Sequence, residues 1–94
     1  MPEAPLAGVR VLDMTRLLPG NFATVMLVEM GAEVIKIEAP EGDGTRWVAP
    51  HLPSGESGAF VQLNRGKSSR VIDLKAQEGR EEFSSLLAAA DVLV

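Results

Sequence analysis

The 94-residue chain has no cysteine and no tyrosine, one histidine, one tryptophan and three phenylalanines. Without cysteine there is no disulfide scaffold, no thiolate nucleophile and no cysteine-held metal. Four aromatic rings (Phe22, Trp47, Phe60, Phe83) make a poor base-stacking surface. Positive charge is also short: 9 Lys and Arg stand against 13 Asp and Glu, a net −4, which argues against nucleic acid as a partner. The longest uncharged apolar run, near Phe22 to Val28, is far too short to span a bilayer, so no membrane partner is expected. No basic region followed by an apolar stretch opens the chain, so no secretory signal is visible and a cytoplasmic location is expected. His51 sits in a Pro-rich loop with no second ligand or acidic partner in sequence reach. It reads as a solvated loop residue, and no metal site is expected.

What is present is organised tightly from Gly8 to Glu38. Gly8-Val-Arg-Val-Leu-Asp13 is a β-branched run and reads as a first strand. Pro19 and Gly20 punctuate a turn, and Asn21 is a plausible N-cap for the helix that follows. That helix, Asn21 to Met30, is apolar on nearly every side and needs covering on most of its surface. Gly31 falls where a helix needs a left-handed terminating residue. Val34, Ile35 and Ile37 mark a second strand.

Residues 39–57 hold Pro40, Pro50 and Pro53 and read as one long loop, a length usually tied to function or disorder. Gly58 to Leu63 can form a short helix, and Asn64-Arg-Gly-Lys67 a basic turn. Val71-Ile-Asp-Leu74 reads as a third strand. Residues 77–90 give an amphipathic helix with Phe83, Leu86, Leu87 and Ala90 on one face and Arg80, Glu81 and Glu82 towards water. Asp91-Val-Leu-Val94 opens a fourth strand. The expectation is an incomplete domain, continued in a longer parent.

This order predicts an α/β fold: a Rossmann-like, mainly parallel sheet with covering helices. Ligands of such sheets sit at the carboxyl ends of the strands. The turn Thr15 to Gly20, the loop start at Ala39, and Leu74 and Lys75 should therefore converge.

One reading of that edge is a dinucleotide site, with Glu38 gripping a ribose hydroxyl. It requires G-x-G-x-x-G before the helix. The turn reads Thr15-Arg-Leu-Leu-Pro-Gly20, with one glycine and two leucines whose Cβ atoms would hold a pyrophosphate away. An NAD(P) module therefore stands as the alternative, and Glu38 reads better as a solvated strand end.

The motifs Pro5-Leu6-Ala-Gly8-Val-Arg-Val-Leu-Asp13, Leu17-Leu-Pro-Gly20, Gly31-Ala-Glu-Val-Ile-Lys-Ile-Glu38, Gly42-Asp43, Asn64-Arg-Gly-Lys67, Asp73-Leu-Lys75, Glu78-Gly-Arg80 and Ala90-Asp-Val-Leu-Val94 together resemble the N-terminal part of the family III CoA-transferases. That family includes carnitine and formyl-CoA:oxalate CoA-transferases and α-methylacyl-CoA racemase. The resemblance runs from Pro5 to Val94. It implies that residues 1–94 are the N-terminal part of a CoA-binding Rossmann-like domain. The parent would move CoA between carboxylic acids or epimerise an α-methylacyl-CoA, as a homodimer.

By position, the resemblance places CoA contacts on Leu17, Leu18, Ala39, Ile72, Asp73, Leu74 and Lys75. Lys75 would offer its ammonium to an adenosine phosphate as a point charge. The family commonly has an arginine at the position of Ala39, so phosphate recognition would lean on Lys75, on Lys36 or Arg46, or on residues outside this chain. The resemblance puts the catalytic residues beyond Val94, so no catalytic residue is assigned here and the chain alone is expected to show no turnover. Asp13 and Asp73, both at strand ends, read as structural.

Arg65, Lys67, Arg70 and Lys75 fit a solvated turn or an anion-attracting rim equally, apart from Lys75, whose position favours function. Trp47 either packs over the ligand or anchors the loop. A non-enzymatic nucleotide- or partner-binding role, through the apolar helix 21–30, is the remaining alternative.

Overall fold

Two apolar runs with alternating contacts build the centre of the sheet. The computed structural model describes residues 4–94. Strand β1 (Arg10–Asp13) pairs in parallel with β2 (Glu33–Glu38), register Val11 to Val34 and Leu12 to Ile35. Helix α1 (Leu17–Glu29) connects them. After β2 come a 3₁₀ turn (Gly44–Trp47), α2 (Gly58–Asn64), β3 (Ser68–Val71), α3 (Gln77–Ala88) and β4 (Val92–Leu93). Among the described residues the four strands of the sheet pair in parallel, in the order β3-β2-β1-β4.

Side chains alternate across a strand, so each strand feeds both faces. On one face Leu12, Ile35, Ile37 and Ile72 are buried under Phe83, Leu86 and Ala90 of α3 and its C-terminal end. On the other, Val11, Ala32 and Val34 pack against Leu27 and Val28 of α1. The fold is thus α/β with a parallel sheet and helices on both faces, as the order of elements predicts.

Several local expectations are corrected. Asn21 is not the helix cap. Helix α1 begins four residues earlier, at Leu17, and Pro19 is accommodated within its first turn, where the missing N–H costs nothing. Asn21 is instead fully buried. The third strand is Ser68–Val71 rather than 71–74. Its last pairing is Val71 with Glu38, after which Ile72 still donates its amide to the Glu38 carbonyl at 2.9 Å and the chain turns away. Leu87, expected on the packed face of α3, is 40% exposed. Gly31 takes the expected left-handed conformation, φ +99°. The apolar surface of α1 is only partly covered: Phe22, Met26 and Met30 are exposed.

Candidate functional site

A cavity of about 340 Å³ opens at the carboxyl ends of the strands. Met14, Thr15 and Arg16 line it from the turn after β1. Ile37 to Asp43 line it from the end of β2 and the loop beyond. The turn after β3 contributes Ile72, Asp73, Leu74 and Lys75. These are the three segments that strand order alone brings together.

Five of the seven site residues named from the sequence, Ala39, Ile72, Asp73, Leu74 and Lys75, lie on this cavity. Leu17 and Leu18 do not line it. Their side chains are 54% and 62% exposed beside it. Leu17 has a positive φ of 63°, and its Cδ2 lies over Gly44, where an added Cβ would come within 2.9 Å. Trp47 is 73% exposed and stands off the cavity. His51 is exposed in the loop, bridged through its backbone to Ser57. Among the described residues no cluster of three His, Cys, Asp or Glu could hold a metal.

Two buried ion pairs join α1 to the carboxyl ends of β1 and β2, a feature the sequence reading missed. Lys36 and Asp43 form an ion pair at 2.8 Å with both side chains buried. Asn21 ties them: its amide nitrogen donates to Asp43 at 2.7 Å and its oxygen accepts from Lys36 at 2.7 Å. Lys67 and Asp13 form a second buried pair at 3.1 Å. Thr24 bridges it, donating to Asp13 at 2.6 Å and accepting from Lys67 at 2.6 Å. Lys67 also donates to Asn64 Oδ1 at 2.8 Å. The basic turn is therefore neither solvated nor a rim at this position. Lys67 points inward to hold the end of β1.

Glu38 is corrected as well. It is not a solvated strand end but 4% exposed, bound by two nitrogens of Arg46 at 2.8 and 2.6 Å, the amide of Asp43 at 2.9 Å and Ser69 Oγ at 3.0 Å. The Arg46 guanidinium holds the Glu38 carboxyl down to about 2, against the opposing effect of burial. Arg46 also stacks over the Phe60 ring, 3.8 Å from its centre, a favourable cation–π geometry. Burial pushes the carboxyls of Asp43 and Asp13 up, yet both titrate below the ordinary range. Lys36 and Asn21 hold Asp43, and Thr15, Thr24 and Lys67 hold Asp13. Burial lowers the Lys67 ammonium more than Asp13 raises it.

Lys36 and Arg46, expected above to help recognise a phosphate, are thus committed to Asp43 and Glu38. A sequence signal for this existed. In a strand covered on both faces, Lys36 and Glu38 share the face of Val34 and must be buried with partners.

Asp73 lies in the exposed turn and accepts the amide of Lys75 at 3.0 Å. Arg80 closes the same turn by donating to the carbonyls of Leu74 and Lys75 at 3.1 and 3.0 Å. Helix α3 approaches so closely that a Cβ on Gly79 would stand 1.9 Å from the Asp73 carbonyl oxygen.

The chain is 44% identical over 93 residues to a succinyl-CoA:mesaconate CoA-transferase of Haloarcula hispanica, covering 95% of this chain and 24% of the relative. It is 46% identical over 91 residues to a succinyl-CoA:glutarate CoA-transferase of Mus musculus, covering 96% and 21%. A CAIB/BAIF family protein from Brucella suis superposes with a TM-score of 0.88 at 39% identity, over 98% of this chain and 25% of that one. The chain spans about a quarter of the length of the relatives it matches. The model of CoA-transferase family III matches residues 6–94, the whole of the sheet, its helices and the cavity segments. The chain belongs to CoA-transferase family III.

Proposed function

We propose that residues 1–94 form the N-terminal part of a CoA-binding domain in an enzyme that moves CoA between carboxylic acids. The observation that carries this reading is the cavity at the strand ends. It gathers Ala39 and the run from Ile72 to Lys75, where the family resemblance places CoA contacts. A transferase is preferred to a racemase because the relatives described above are CoA-transferases. Substrates of the parent are a CoA thioester and a carboxylic acid, and a homodimer is part of the same reading.

The chain alone is proposed to bind without turnover. Asp13 is fully buried and hydrogen-bonded to Thr15, Thr24 and Lys67, so it is unavailable as a nucleophile. The NAD(P) alternative loses its main support, since Glu38 is saturated by Arg46, Ser69 and the Asp43 amide. Isothermal titration of the chain with CoA and with NAD tests the reading. Binding of CoA and not NAD is expected. Binding of NAD alone, or of neither by a chain with native circular dichroism, overturns it.

A further inference from the structure

Of the nine basic side chains in the sequence, six are in ion pairs: Arg10, Lys36, Arg46, Arg65, Lys67 and Arg70. Arg80 is held by the carbonyls of Leu74 and Lys75. Two remain without a side-chain partner among the described residues, Arg16 and Lys75. Both line the same cavity, from different segments of the chain.

The backbone around Arg16 is fixed while its guanidinium is free. The Thr15 amide donates to Asp13 at 2.8 Å, and the Thr15 carbonyl accepts from Lys36 at 3.1 Å. On the other side, the Leu17 amide donates to Asp43 at 3.1 Å. Arg16 itself is extended, φ −138° and ψ 154°, and makes no side-chain cap to the helix it precedes. Two of the acidic groups on the cavity, Glu38 and Asp43, are neutralised by Arg46 and Lys36. A cation that is exposed, pre-placed and unpaired suits an incoming anion, and a planar guanidinium suits a phosphate because two N–H groups can meet two oxygens.

We propose that Arg16 is a phosphate-binding residue that holds a phosphate of CoA jointly with Lys75. This rests on the CoA-binding reading above and adds to it a residue that the motif positions do not include. Arg16 supplies the directed, two-pronged contact, and Lys75 the point charge.

Titration of CoA and of 3′-dephospho-CoA into the wild-type chain, Arg16→Ala and Arg16→Lys tests it, with circular dichroism confirming the fold of each. Arg16→Ala is expected to weaken CoA binding about tenfold or more, the loss of a charge-assisted contact. Arg16→Lys should recover part of that loss. The salt dependence of CoA binding should become shallower in Arg16→Ala, because one screened charge pair is gone. A penalty that persists with 3′-dephospho-CoA assigns the contact to the diphosphate, and one that disappears assigns it to the 3′-phosphate. Unchanged CoA affinity in Arg16→Ala overturns the proposal and leaves the CoA reading standing. So does a loss of affinity with wild-type salt dependence. Absence of CoA binding in the folded wild type overturns the CoA reading and this proposal with it.

Discussion

The amide of Leu17 donates to Asp43 Oδ1 at 3.1 Å, and this bond holds Leu17 at a φ of 63°. That conformation costs an L-residue with a Cβ roughly 1–2 kcal/mol. The same carboxylate accepts from the Thr45 amide at 2.9 Å, from Asn21 and from Lys36. One buried group therefore joins the turn after β1 to the loop after β2, the two walls that meet at the cavity.

Replacing Asp43 is expected to be severe. Asp43→Ala leaves the Lys36 ammonium buried without its counter-charge, a change that typically costs about 3–5 kcal/mol. Asp43→Asn keeps part of the hydrogen bonding and should cost less. Urea denaturation of both variants checks the order. Equal stability of Asp43→Ala and the wild type would contradict the joint described here.

Acid should loosen the loop through Glu38. Its carboxyl titrates near 4.5 when unfolded and is held to about 2 in the fold. A folded value below the unfolded one means that the stabilisation is full above about pH 4.5 and is lost as the pH falls towards about 2. Asp43 adds to the same trend, since its carboxyl is also held low. Thermal midpoints are expected to fall steeply across this window. Arg46→Ala removes the main cause of the depression and should flatten the dependence. A wild-type midpoint that stays constant across the window would count against the Glu38–Arg46 pair.

Gly79 separates two opposing effects. Alanine is favoured over glycine inside a helix by about 1 kcal/mol. Here its Cβ would meet the Asp73 carbonyl oxygen at 1.9 Å, and backbone cannot rotate aside. Overpacking of this kind costs about 1–3 kcal/mol. Gly79→Ala is therefore expected to lower the urea midpoint and, by displacing the turn that carries Lys75, to weaken CoA binding. A raised midpoint would show that α3 sits farther from the turn than described.

The sheet was legible where apolar residues cluster. Val11 with Leu12, and Val34 with Ile35 and Ile37, mark strands that are buried on both faces, and Phe83 and Leu86, with Ala90 just beyond the helix, mark the packed side of α3. Strand β3 was not legible, because Ser68, Ser69, Arg70 and Val71 are all exposed and carry no alternation of apolar and polar residues. Its place is set by backbone pairing with β2. The two buried ion pairs were hidden for another reason. Lys67 meets Asp13 across 54 positions, and Asn21 meets Asp43 across 22, so no local spacing announces either contact. The convergence of the three cavity segments was legible, because it follows from parallel strand order alone. Arg16 carries no sequence signal, because what marks it is the lack of an ion-pair partner among the described residues, and that emerges only from the full set of ion pairs.

The proposed function places CoA in the cavity at the ends of β1, β2 and β3. Amide chemical shifts of the isotopically labelled chain, followed by two-dimensional NMR during titration with CoA, test it most directly. Shifts are expected to concentrate at Thr15, Arg16, Ala39 and residues 72–75. A second cavity lies between α1 and α2, lined by Phe22, Met26 and Leu63 among others, and shifts confined to those residues would overturn the placement.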